Sequence, residues 1–173
     1  MSGTSLPIEE IRGEFLEALK GASPRILLKA PTGSGKSTGI PPMMDDAGLG
    51  ENGLIVVVQP RRMAARLLAR HVARLRGSEL GREVGYMVRF ERHISSRTRI
   101  AYVTDGVLER WLTDRPCLEG VSAVVFDEFH ERSLSGDLSL GRVLDLQEGP
   151  RPDLAVVVMS ATLEMSGLRG YMG

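Results

Sequence analysis

Cysteine is almost missing from this chain of 173 residues, where Cys117 stands alone. A single thiol excludes an internal disulfide and a zinc site of the usual cysteine-rich kind, and leaves Cys117 as a small, partly buried hydrophobe. Aromatic residues make up only 5%, and lysine is scarce at three against nineteen arginines. No apolar run approaches the roughly 18 residues of a membrane span, so no membrane partner is expected. The first ten residues lack the basic and apolar segments of a secretory signal, which makes a cytoplasmic protein the expectation. Repeats, low-complexity tracts and long linkers are missing as well. Net charge is zero, but it is unevenly spread. Between Arg61 and Arg99 eleven arginines meet only Glu79, Glu83 and Glu91, a local balance of +8 against −8 elsewhere. Such a region attracts polyanions; a solvated helix face is the alternative.

The composition, 42% hydrophobic and 25% charged, is that of a soluble globular chain. Its length suits one domain over residues 1–173, large enough to bury roughly 70% of its unfolded surface. Five near-continuous apolar runs stand out: Ile26 to Lys29, Leu54 to Val58, Arg99 to Thr104, Ala123 to Phe126 and Leu154 to Met159. Continuous rather than alternating runs mark strands buried on both faces of a parallel sheet. Helical periodicity lies between them. Residues 8–20 place Ile8, Ile11, Phe15 and Leu19 on one stripe. Residues 61–76 place Met63, Leu67, Leu68, Val72 and Leu75 inward, with Arg62, Arg66, Arg70 and Arg74 opposite. Gly106 to Leu112 and Leu134 to Leu146 are shorter helices. The expected fold is therefore α/β, a mainly parallel sheet with helices on both faces and right-handed crossovers. Residues 83–90 alternate and are expected as an edge strand; Gly48, Gly50 and Gly53 mark a loop.

Two segments carry chemistry. Ala30-Pro31-Thr32-Gly33-Ser34-Gly35-Lys36-Ser37-Thr38 follows the first strand and opens a helix that Pro41-Pro42 should stop. Ala30 stands where the strict phosphate-loop pattern has glycine. Gly33 and Gly35 let the backbone approach an anion, and the N–H groups of residues 32 to 38 would cradle phosphates at the helix N-terminus. Lys36 would reach the β- and γ-phosphates, and Ser37 would coordinate Mg²⁺. The second segment is Asp127-Glu128-Phe129-His130, at the C-terminal end of a buried strand. Two adjacent carboxylates there are unfavourable unless a metal or substrate compensates. Asp127 suits the metal and Glu128 the attacking water, while a helix cap for Asp127 and a polar turn position for His130 are the plain alternatives.

With Gln59-Pro60-Arg61-Arg62, Thr104-Asp105-Gly106, Glu131-Arg132-Ser133 and Ser160-Ala161-Thr162, these segments follow one another as in the first RecA-like domain of DEAH-box helicases, which the chain resembles over residues 6 to 165. Phe129 in place of the usual alanine is most similar to the bacterial HrpB-type branch. The resemblance implies a RecA-like P-loop NTPase, with ATP and Mg²⁺ as cofactors and single-stranded RNA or DNA as partner. It implies that Arg61, Arg62, Thr104, Asp105 and Gly106 contact the nucleic-acid backbone. It implies that Ser160, Ala161 and Thr162 couple hydrolysis to domain movement, Ser160 or Thr162 through a hydrogen bond with His130. His71 aligns where relatives stack an arginine on adenine, with Arg70 beside it, and either could stack on the base. No glutamine precedes the phosphate loop, the first being Gln59, so base selectivity should be loose. Only eleven residues follow Thr162, so the second RecA-like domain is expected outside this chain and the isolated fragment should be weakly active. A non-catalytic nucleotide-binding fragment and a P-loop small-molecule kinase are the other readings.

Overall fold

All five apolar runs become strands in the computed structural model, which describes residues 7–162 and 170; the remainder of the expected 1–173 domain lies outside the described residues. The chain runs through α1 (Pro7–Glu10), α2 (Arg12–Ala18), β1 (Arg25–Lys29), α3 (Lys36–Asp46), α4 (Leu49–Asn52) and β2 (Leu54–Gln59). It continues through α5 (Arg62–Leu75), β3 (Val84–Val88), β4 (Glu91–His93), β5 (Ile100–Thr104), α6 (Asp105–Asp114) and β6 (Val121–Phe126). A 3₁₀ turn (Phe129–Glu131), α7 (Leu134–Glu148) and β7 (Ala155–Ser160) complete it. The strands form one sheet in the order β1-β7-β6-β2-β5-β3-β4, parallel throughout except for the β3–β4 hairpin.

Successive strand residues point into opposite cores. Ile55, Val57, Tyr102, Val125 and Val157 pack with α1, α2, α3 and α5 on one face. Val56, Val58, Val103, Phe126 and Val158 pack with α6 and α7 on the other. Burial on both faces is why these strands read as unbroken apolar runs, each such side chain contributing about 1.5–3 kcal/mol.

Several local expectations are corrected. Residues 8–20 are two helices rather than one: the chain turns at Ile11 (φ −94°, ψ 2°), with Gly13 weakening helix propensity at the joint. Ile8, Phe15 and Leu19 still reach the core. Pro41 and Pro42 do not stop α3, which runs through both to Asp46. An interior proline ordinarily destabilises a helix by about 3 kcal/mol, partly because the carbonyl four residues back loses its donor. For Pro41 that carbonyl is Ser37 O, and the Tyr102 hydroxyl donates to it at 2.8 Å. The glycine-marked loop contains the turn of helix α4, entered at Gly48 with φ 94°.

On α5, Leu68 and Val72 pack inward, but Met63, Leu67 and Leu75 are 59%, 59% and 65% exposed. The buried stripe is Ala65, Ala69, Val72 and Ala73. Small side chains let this helix lie close on the sheet, so available volume outweighs hydrophobicity in setting its rotation. The stretch expected at the sheet edge is β3, flanked by β5 and by the true edge strand β4. The short, charged β4 suits an edge, and Phe90 turns the hairpin at φ 68°.

Candidate active site

A parallel sheet brings the C-terminal ends of its strands to one edge, where open α/β sheets bind ligands. Ala30 follows β1, Asp127 follows β6, and Ser160, Gln59 and Thr104 end β7, β2 and β5. Strand order places the first three tips next to one another, because β1 pairs with β7 and β7 with β6.

In the phosphate loop, Gly33 (φ 81°) and Gly35 (φ 85°) adopt the left-handed conformation that side-chain-bearing residues resist. Ser34 N–H donates to Pro31 O at 3.2 Å; Gly35 O accepts from Thr38 and Gly39 N–H at 3.3 and 2.7 Å as α3 begins. Thr32 and Gly33 are exposed. Ala30 N–H donates to Ser160 O at 3.1 Å, extending the β1–β7 ladder into the loop. Ala30 has no positive φ and therefore does not require the glycine of the strict pattern. The buried Ser34 Oγ has no partner among the described residues.

Behind the loop lies a chain of charged groups. Lys36, 2% exposed, places Nζ 2.8 Å from Glu128 Oε1, and Glu128 Oε2 lies 3.2 Å from His130 Nε2. His130 Nδ1 accepts the Ala161 N–H at 3.2 Å. An accepting Nδ1 puts the imidazole proton on Nε2, where it donates to Glu128. The expected link from His130 to Ser160 or Thr162 is thus made by the Ala161 amide, the first one freed beyond the end of β7. Ser160 Oγ instead accepts the Thr162 N–H at 3.4 Å. Glu128 itself sits at φ 50°, a strained position for a glutamate.

Asp127 is 3% exposed and accepts from Gln59 Nε2 and, at 2.8 Å, from the Glu128 N–H. Burial raises its pKa; hydrogen bonds from Ser37 and Gln59 pull it back, and the Glu128 charge adds to the rise. A hydroxyl and a carboxylate held together, beside a buried lysine and an unpartnered serine hydroxyl, fit a magnesium-bound nucleotide. Ser37 and Asp127 are the residues that would hold the ion. Gln59 and Tyr102 escaped the sequence reading of the site, although a glutamine at the tip of a buried strand is a polar signal in an apolar run.

The remaining expected positions are spread along the same edge. Arg61 is exposed and pairs in bidentate fashion with Glu131, at 3.1 and 2.9 Å; Arg62 is exposed at the start of α5. Arg66 is partly buried against Glu91, so the expected free arginine face is partly used internally. Thr104 is half-buried and Gly106 exposed. The Asp105 carboxylate accepts from Ser133 Oγ at 3.1 Å, and that oxygen caps α7 by accepting from Gly136 N–H at 2.9 Å. Burial raises the Asp105 pKa against this hydrogen bond. Asp105 therefore joins α6 to α7. His71 lies exposed on α5, its Nδ1 3.2 Å from Arg74 Nη2. At 1.5 Å per residue it is about 13 Å down the helix from Arg62. No described hydrogen bond joins it to the Lys36–Asp127 group.

The family model described as DEAD/DEAH box helicase matches residues 10–169. The chain is similar to the ATP-dependent RNA helicase HrpB of Escherichia coli, 46% identical over 96% of this chain and 20% of that protein. It is similar to the probable ATP-dependent RNA helicase DHR2 of Saccharomyces cerevisiae, 44% identical over 92% of this chain and 22% of that one. A crystal structure of E. coli HrpB superposes with a TM-score of 0.90 at 45% identity, covering 98% of this chain and 21% of the other. The chain thus spans about a fifth of the length of the relatives it matches.

Proposed function

Because the chain belongs to the DEAD/DEAH box helicase family, we propose that it is the nucleotide-binding motor domain of an ATP-driven RNA helicase. The observation that carries this reading is the linked series of buried Lys36 with half-buried Glu128, His130 and Ala161, set beside Asp127 at the strand tips. Lys36 exchanges its Glu128 partner for nucleotide phosphates, while the N–H groups of the loop and the α3 N-terminus bind their oxygens. Ser37 and Asp127 would hold magnesium, which would supply neutralisation of the phosphate charge. Glu128, kept in place by the His130 Nε2–H, orients the attacking water and accepts its proton. His130 rests on the Ala161 amide, so movement of the segment beyond β7 reaches the water-orienting carboxylate through one imidazole.

Arg61, Arg62, Thr104 and Gly106 bind the backbone of single-stranded RNA or DNA, giving salt-dependent and sequence-tolerant adhesion. The nucleotide is ATP with loose base selectivity, and the exposed His71 does not discriminate adenine. Remaining domains of a longer chain supply the opposing half of the site, with the arginines that stabilise transferring charge. The proposed setting is cytoplasmic; among the described residues no helix is long and apolar enough to cross a membrane.

Turnover of ATP and GTP, with and without single-stranded RNA, tests this reading in the present chain beside a protein carrying the further domains. Expected are slow, RNA-insensitive hydrolysis by this chain, RNA-stimulated hydrolysis by the longer protein, and GTP within about tenfold of ATP. Charge-stabilising arginines contribute factors of about 10³ to 10⁵ in related phosphoryl transfers. Rapid RNA-independent turnover by this chain alone would contradict the proposal.

A further inference from the structure

Pro41 lies inside α3 and has no N–H for the carbonyl of Ser37, four residues earlier. That carbonyl shares its Cα with the side chain placed beside the Asp127 carboxylate. The group that satisfies it comes from another element: Tyr102 on β5 donates its hydroxyl to Ser37 O at 2.8 Å. The phenol is fully buried, in register with Val57 of β2 and Tyr86 of β3, so packing on both sides sets its direction. Burial and the nearby Asp127 charge raise its pKa, which keeps the hydroxyl a donor. Two residues further along β5 the chain reaches Thr104 and then Asp105-Gly106, at the end of the sheet assigned to nucleic acid.

We infer that Tyr102 is a positioning residue: it replaces the helix hydrogen bond denied by Pro41, fixes the Ser37 peptide for magnesium, and ties the nucleic-acid end of β5 to α3. This inference rests on the function proposed above. An ordinary residue at 41 would satisfy Ser37 within its own helix. With proline there, the backbone of a metal-holding serine depends on the position of β5, and a displacement at Thr104 reaches Ser37 across a single hydrogen bond.

The test uses Tyr102→Phe, Pro41→Ala and the double variant, with parent and Lys36→Ala as references. The affinity for a fluorescent ATP analogue is measured in Mg²⁺ and in EDTA, alongside thermal melting. Tyr102→Phe is expected to weaken binding in Mg²⁺ about tenfold, the scale of one unmet buried hydrogen bond, and to change binding in EDTA by less than about twofold. The double variant is expected to regain parent affinity, because alanine restores an N–H for Ser37 O. Equal losses in Mg²⁺ and EDTA, no loss in either, or no recovery in the double variant would overturn the inference. A single variant that fails to fold while the double variant folds supports it; failure of both to fold overturns it. If the parent binds no nucleotide in Mg²⁺, the functional reading falls and takes this inference with it. If the parent binds and Lys36→Ala does not, that reading stands whatever Tyr102→Phe does.

Discussion

At the β1–β7–β6 end of the strand tips the charges are few, buried or half-buried, and interlinked; at the β2–β5–β3–β4 end they are many and mostly exposed. Lys36 and Asp127 are 2% and 3% exposed, Lys36 facing Glu128 and Asp127 facing Gln59. Arg61 and Arg62 stand in solvent, and among the described residues Arg61 pairs with Glu131 at the surface. Charges taken out of water destabilise a fold unless a partner compensates them, which under the proposed function is a ligand of defined shape and charge for the first group. Exposed arginines carry little such penalty and little specificity. On the proposed function, one edge holds a stereospecific phosphate site and a general polyanion surface side by side, joined by β5 and its buried Tyr102.

Substitutions separate the two ends by the size and kind of their effects. Lys36→Ala is expected to weaken Mg·ATP binding by about a hundredfold or more, the scale of removing a charge-assisted hydrogen bond in a low-dielectric site, and to leave RNA affinity within about twofold. Equilibrium titration checks both arms, and unchanged nucleotide affinity would remove the phosphate-loop assignment. In a protein with the further domains, Glu128→Gln is expected to retain nucleotide binding while lowering turnover by at least about 10². Retained turnover there would mean that another group orients the water. At the exposed end, Arg61→Ala with Arg62→Ala should weaken single-stranded RNA binding only a few-fold, uniformly across sequences. The slope of log K against log salt should fall by about 0.7 for each phosphate that an arginine no longer neutralises. A sequence-dependent loss of affinity would contradict backbone recognition.

The smallest effect concerns stability. Because burial raises the Asp127 pKa above its unfolded value, proton uptake favours the folded state below that unfolded value, and the benefit is lost as pH rises through the folded pKa. At neutral pH the charged carboxylate therefore weighs against folding in the absence of metal. Asp127→Asn is expected to raise the metal-free melting temperature at pH 7 by about 2–4 °C, the shift produced by ~1 kcal/mol in a domain of this size. The gain should shrink towards zero near pH 4. A lower melting temperature at pH 7 would show that the carboxylate is stabilising as it stands.

The sheet was legible in the sequence because strands buried on both faces must be apolar at every position, as in Val56, Val57 and Val58. The phosphate loop and Asp127-Glu128 were legible because their chemistry tolerates few residue types at fixed spacing. Other features depended on partners remote in sequence. The rotation of α5 follows from how closely Ala65 and Ala69 approach the sheet, which the more hydrophobic Met63 and Leu67 concealed. Pro41 looked like a helix stop because its compensating donor, Tyr102, lies sixty-one residues later. The grip of Ala161 on His130 uses a backbone amide, which carries no signature in the side-chain sequence. Asp105 was drawn inward by Ser133, a capping residue recognisable only once α7 is placed beside α6.

The division of the edge is tested most directly by amide chemical-shift mapping of the chain with two ligands in turn. Addition of Mg²⁺ with a non-hydrolysable ATP analogue should shift the amides of residues 33 to 38 and of Glu128 and Ala161, leaving those of Arg61, Arg62 and Gly106 little changed. A single-stranded RNA oligonucleotide should shift Arg61, Arg62 and Gly106 most and leave residues 33 to 38 little changed apart from Ser37, which Tyr102 links to β5. If the nucleotide leaves residues 33 to 38 undisturbed, or both ligands shift the same set of amides, the edge does not contain two separate sites.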